Sequence, residues 1–140
     1  MTDLPILVTY ASVVTRESIR VAFFLATLNN LNFLSADVSG AYLNAPCAEK
    51  IYCIIGDKSS ELAGQRALIV EVLYGLQSFG YAWRSMCSRA TREELEFTPC
   101  HGDMDIWRRC AQRADGSQYY EYLFVYSDDA IAISEKSCPF

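Results

Sequence analysis

The 140-residue chain lacks an excess of positive charge: 17 acidic residues stand against 12 basic ones, a net charge of -5. Lys and Arg on phosphates supply most of the affinity of a nucleic-acid binder, so this balance excludes a protein that grips nucleic acid by charge alone. It leaves room for a piece of a larger enzyme whose basic parts lie elsewhere. Histidine is scarce as well: His101 is the only one, and the six cysteines form no CxxC pair. Zinc-knuckle spacing is therefore missing. Cys47, Cys53, Cys87, Cys100, Cys110 and Cys138 are expected as reduced, mostly buried thiols of an intracellular protein. No long apolar run is present. The longest, Val21 to Ala26, is too short to cross a bilayer, so no membrane association is expected. No segment near Met1 reads as a targeting signal, and no repeat, low-complexity stretch or linker interrupts the chain, which predicts a single domain.

Apolar residues at 51% and charged residues at 21% are those of a globular protein, with enough apolar side chains for a real core. Thr15 can cap a helix with Glu17 in its first turn and Ile19, Ala22, Phe23 and Ala26 at helical spacing, stopping at Asn29-Asn30. Phe33 to Val38 reads as a buried strand that ends in an acid. Lys50 to Ile55 and Arg66 to Val72 read as strands, with a polar turn around Gly56-Asp57-Lys58. A second helix is predicted from about Tyr81 to Leu95, with Trp83, Met86, Cys87 and Ala90 on one face and Arg84, Arg89 and Arg92 pointing away. Asp105 to Arg109 can form a strand. The aromatic and β-branched run Tyr119 to Tyr126 predicts another, followed by Ser127-Asp128-Asp129 and the apolar Ala130 to Ile133: a hairpin with two carboxylates at its tip. Helices and antiparallel strands without strict βαβ alternation make the class α+β.

The Asp128-Asp129 pair has a plain explanation as a polar hairpin turn, where Asp is favoured. A functional one rests on its setting between apolar strands and on a third acid, Asp37, at the end of another strand. Asp37 beside Asp128 is electrostatically costly unless a cation lies between them. Magnesium takes carboxylate and phosphate oxygens together, and two such ions about 4 Å apart serve phosphoryl transfer.

At these residues the sequence resembles the reverse transcriptase of copia-type retroelements. Thr9 to Arg20 is similar to the family's "TYAPVVSRESIR". Asp37-Val38-Ser39-Gly40-Ala41-Tyr42-Leu43-Asn44 resembles "DVxxAYLN". Leu73-Tyr74-Gly75-Leu76, with Trp83 beyond it, resembles "LYGLKQAPRAW". Asp103 to Trp107 is similar to "ADPDVW", and Tyr126-Ser127-Asp128-Asp129 matches "YVDD". Together the motifs run nearly end to end, in family order.

The resemblance implies a polymerase palm, an antiparallel sheet with helices packed on one face, spanning residues 1–140 with incomplete fingers and no thumb. It implies an RNA-directed DNA polymerase using two Mg2+ (or Mn2+) ions. Asp37, Asp128 and Asp129 would be the catalytic metal ligands, with the Val38 carbonyl as a backbone ligand. Val38, Ala41, Tyr42 and Tyr126 would border the substrates. Tyr42 would exclude a ribose 2′-hydroxyl, the plain alternative being core packing beside Leu43. Tyr126 would pack beside the primer end, or serve as one more strand aromatic. Implied partners are an RNA or DNA template with primer and deoxynucleotides, and the integrase and ribonuclease H regions of the polyprotein. The implied location is intracellular: cytoplasm, virus-like particle or nucleus.

Ser78-Phe79-Gly80 departs from the family's Gln-Ala-Pro, so the amide expected to steady the template–nucleotide pair is missing. The basic fingers strands and the thumb are also expected to be absent, which predicts that the isolated chain is inactive. An alternative from another class is a non-catalytic, host-encoded remnant acting as a binding or assembly module. A nucleotidyl cyclase also places acids on a hairpin, but "LYGL" and "DVSGAYLN" argue against it.

Overall fold

A computed structural model describes residues 11–47, 50–72 and 79–136. Two compact units emerge: Met1–Tyr10 with Gly40–Met86, and Ala11–Ser39 with Cys87–Phe140. Each unit is assembled from separated stretches of chain, which is why no linker in the sequence marks the division.

The larger unit begins with helix α1, Arg16–Leu28. The Thr15 side chain accepts the Ser18 amide at 3.1 Å, satisfying one of the unpaired N–H groups of the first turn. At the other end, Asn30 takes a left-handed conformation (φ 55°). This lets the Leu31 amide return to the Ala26 carbonyl at 2.9 Å and the Asn30 amide to that of Thr27 at 3.3 Å. Those two bonds, with Leu31 and Ala26 both buried, make a Schellman cap. Asn at this position has the local polar side chain that tolerates positive φ.

Among the described residues, five antiparallel strands form one sheet: β1 (Asn32–Asp37), β4 (Thr98–Pro99), β5 (Ile106–Gln112), β6 (Gln118–Tyr126) and β7 (Asp129–Ser134), in the order β1-β7-β6-β5-β4. The long aromatic β6 is central, and its alternation supplies both faces. Phe124 and Ile133 join Val14, Ala22, Ala26 and Leu31 in a core beneath α1. Leu123 and Ala132 join Trp107 and Phe97 on the opposite face. Helix α2 (Phe79–Glu93) ends near that second face: Arg92 lies 5.9 Å from the Trp107 ring. The class is α+β.

Two expectations are corrected. The Phe33–Val38 run does form a strand, but not a buried one: β1 is the edge of the sheet and only Leu34 is half-buried. Phe33 instead stacks on Phe23 of α1, ring centroids 4.6 Å apart. The five described cysteines carry thiols, as expected, yet none is buried, and Cys53 and Cys110 are exposed on strands. Only partial burial pushes the Cys100 thiol above its ordinary value. Cys138 lies outside the described residues.

In the other unit, Ala41–Asn44 forms a 3-10 turn, and β2 (Tyr52–Ile54) pairs antiparallel with β3 (Arg66–Leu68). Bonds from the Cys47 amide to the Val70 carbonyl and from the Val72 amide to the Ala45 carbonyl extend this ribbon. A 3-10 segment, Asp57–Leu62, occupies the connection read as a polar turn.

Candidate functional site

The hairpin between β6 and β7 is as short as a hairpin can be: Tyr126 pairs with Asp129, leaving Ser127 and Asp128 as the turn. Of these two, Ser127 alone has positive φ (57°), the arrangement of a type II′ turn. Glycine normally fills that position. A serine there costs on the order of 1 kcal/mol, so the end carrying the aspartates is under local strain.

β1 pairs with β7 in a register that sets Asp37 directly opposite Asp129. One residue on, the Val38 amide donates to the Asp128 carbonyl at 2.9 Å. Asp37 and the sequence-distant Asp128-Asp129 pair therefore share one end of the sheet. Asp37 and Asp129 are exposed and Asp128 is half-buried. Among the described residues, no side chain donates a hydrogen bond or ion-pairs to any of the three carboxylates.

Beside the pair lies a cavity of about 620 Å³, walled by Val14, Ile19, Phe124 and Ile131, with Asp37, Asp129 and Tyr126 at its margin. Its size is that of a small-molecule site. Tyr126, the partner of Asp129, is half exposed there. As donors, these carboxylates suit a hard divalent cation. Among the described residues, however, no three His, Cys, Asp or Glu side chains are drawn together as a ready ligand set. The fit is one of donor chemistry and backbone placement.

Other residues singled out in the sequence are less informative. Ala41 is buried and Tyr42 follows it in the 3-10 turn, both in the other unit; the Tyr42 side chain lies outside what the structure describes. Val38 follows β1 and is exposed. The Leu73–Leu76 motif and Ser78 also fall outside the described residues, while Phe79-Gly80 open α2.

Two features escaped the sequence reading. Val14 and Ile19 wall the cavity, whereas the sequence pattern shows Ile19 only as part of a helix face. Glu121 is 2% exposed in mid-sheet and accepts hydrogen bonds from Arg109 Nε (3.0 Å) and Nη2 (2.6 Å), Ser134 Oγ (2.6 Å) and Tyr119 Oη (3.1 Å). Burial pushes its carboxyl up, but the Ser134, Arg109 and Tyr119 hydrogen bonds prevail and hold it below its ordinary value. The register that sets Arg109 opposite Glu121 follows from a three-residue loop, 114–116, closed by the Arg113 amide on the Ser117 carbonyl, with Gly116 at positive φ. No protein-family model, curated protein or solved structure matches the chain.

Proposed function

We propose that the chain is the palm portion of a copia-type reverse transcriptase, an RNA-directed DNA polymerase working by two-metal phosphoryl transfer. The observation that carries this reading is the register of β1 on β7, which pairs Asp37 with Asp129 beside the Val38–Asp128 backbone bond. The motif order in the sequence and the unpartnered state of the three carboxylates support it further. Asp37, Asp128, Asp129 and the Val38 carbonyl would hold the Mg2+ or Mn2+ ions, which when bound supply Lewis acidity at the phosphoryl group and lower the pKa of an attacking hydroxyl. Tyr126, exposed at the margin of the cavity, would pack against the primer end. Ala41 and Tyr42 would border the incoming deoxynucleotide.

These 140 residues alone should not extend a primer. Polymerisation needs the primer end and triphosphate held in line, and a net charge of -5 does nothing to recruit a polyanion. Template, primer, deoxynucleotides and the integrase and ribonuclease H regions are the proposed partners, in an intracellular setting. The test is a Mn2+ titration followed by electron paramagnetic resonance, with primer extension on poly(rA)–oligo(dT) run in parallel. Weak Mn2+ binding that disappears in both Asp37→Asn and Asp128→Asn is expected, without extension. Binding unchanged in the two variants would sink the metal assignment.

One observation favours a second reading, a non-catalytic remnant that binds or assembles with another protein. α1 is apolar on its outer side as well, leaving Val21, Phe24 and Leu28 more than half exposed. Absence of carboxylate-dependent Mn2+ binding would move the balance to it.

A further inference from the structure

The start of α1 is fastened to the aspartate end of the sheet by a closed circuit of contacts. The Val14 amide donates to the Val125 carbonyl at 3.3 Å, and the Val125 amide donates to the Asp105 carbonyl at 3.2 Å. The Asp105 amide in turn donates to Asp103 Oδ1 at 3.0 Å. Asp103 Oδ2 then accepts the Ser18 hydroxyl at 2.9 Å, and Ser18 is one helical turn beyond Val14. Thr15, the helix cap, donates into the same Ser18 oxygen at 3.0 Å, so the hydroxyls polarise one another toward the carboxylate. The circuit passes through Val125 of β6, immediately before Tyr126 and the turn.

From this geometry we propose that Asp103 is a positioning residue of the candidate site. Acting through Ser18, it fixes where the first turn of α1 stands, and hence where Val14 and Ile19 wall the cavity beside Asp37 and Asp129. Several features suit it to that task. Its Oδ1 is engaged within its own loop, so the carboxylate is a braced anchor rather than a free arm. Its negative charge faces the first turn of a helix, where the helix dipole favours an anion. Val14 and Ile19 flank Ser18 in the chain and both pack into the core that contains Phe124. A loosened Ser18 would release the cavity wall, while the Schellman cap would still hold the far end of the helix. The functional meaning of the latch rests on the proposed metal and nucleotide site; its structural effect does not.

The test uses the full chain labelled at Val, Ile, Leu and Ala methyls and at the Phe rings. Ile19-to-Phe124 nuclear Overhauser effects report on the cavity wall, and Ala26-to-Leu31 effects serve as the control at the other end of α1. Asp103→Ala should lose the first set and keep the second, and Ser18→Ala should do the same. Asp103→Asn, whose amide can still hydrogen-bond the hydroxyl, should retain both. Unchanged Ile19 contacts in Asp103→Ala and Ser18→Ala would overturn the proposal, as would loss of both sets together, which marks a general structural role. If Asp103→Ala does not fold, Ser18→Ala carries the same comparison. With Mn2+ added, paramagnetic relaxation of the Ile19 methyls should fall in Asp103→Ala relative to the unaltered chain. Should Mn2+ relax no methyl even in the unaltered chain, the metal reading fails while the Overhauser comparison still decides the latch.

Discussion

In the middle of the sheet, Glu121 is 2% exposed and takes hydrogen bonds from Arg109, Ser134 and Tyr119. At the end of the same sheet, Asp37 and Asp129 stand opposite each other, exposed, with no such donor among the described residues. A buried carboxylate costs several kcal/mol unless partners replace its water, so Glu121 can exist where it does only because its oxygens are satisfied. Its lone pairs are committed, and it is unavailable to a ligand. The exposed aspartates cost little in the folded chain and keep their lone pairs open. Full internal satisfaction therefore marks a carboxylate that serves the fold, and its absence, in a pair set against mutual repulsion, marks one that can serve a ligand.

The sharpest way to break this contrast is to delete the committed carboxylate. Glu121→Ala should destabilise the protein by about 3 kcal/mol, because Arg109 would be left against the Phe97 ring without its counterion. Urea unfolding measures it, and a loss below 1 kcal/mol would remove Glu121 from its structural role. The same cluster gives a pH dependence. The folded carboxyl titrates below its ordinary value, so its stabilisation is present above the unfolded value of about 4.3 and is lost as pH falls through the folded one. The urea midpoint should drop on acidification below about pH 4.3, and Glu121→Gln should flatten that drop.

Smaller effects are expected at the aspartate end. Ser127→Gly should stabilise the chain by about 0.5–1 kcal/mol by relieving the left-handed serine at the turn. A loss of stability would instead show that the hydroxyl holds the turn together. Smallest of all, Asp129→Asn should raise stability by about 0.3 kcal/mol, since it removes one of two like charges directly opposed across strands. If thermal melting shows Asp129→Asn to be clearly destabilised, the carboxylate has a structural partner and the contrast with Glu121 dissolves.

Local signals in the chain are strong where one residue decides a local geometry. Thr15 with Ser18 starts α1, Asn29-Asn30 ends it, and the aromatic run of β6 leads into a turn with acids at its tip; each is dictated by capping, left-handed tolerance or strand propensity within a few residues. The expectation for β1 went astray for the opposite reason. Phe33 and Leu34 are as apolar in an edge strand as in a central one, and strand order depends on partners about a hundred residues away. Cysteine burial departs from expectation on the same ground, since residue type sets a tendency and the surrounding packing sets the outcome.

By itself, then, the sequence determined the elements, the α+β class and which acids end strands, because capping, period and turn chemistry act over short stretches of chain. Only the tertiary structure decided that β7 inserts between β1 and β6, and with that which acids meet. Register has a period of two, and a shift by one residue would have put Asp129 on the other face and left Asp37 opposite Asp128 or Ala130. The same long-range pairing decided that Asp103, 85 residues from Ser18, closes on the first turn of α1. Contacts of that span are set by how two faces of one sheet fill, and no window of sequence short enough to read contains both partners.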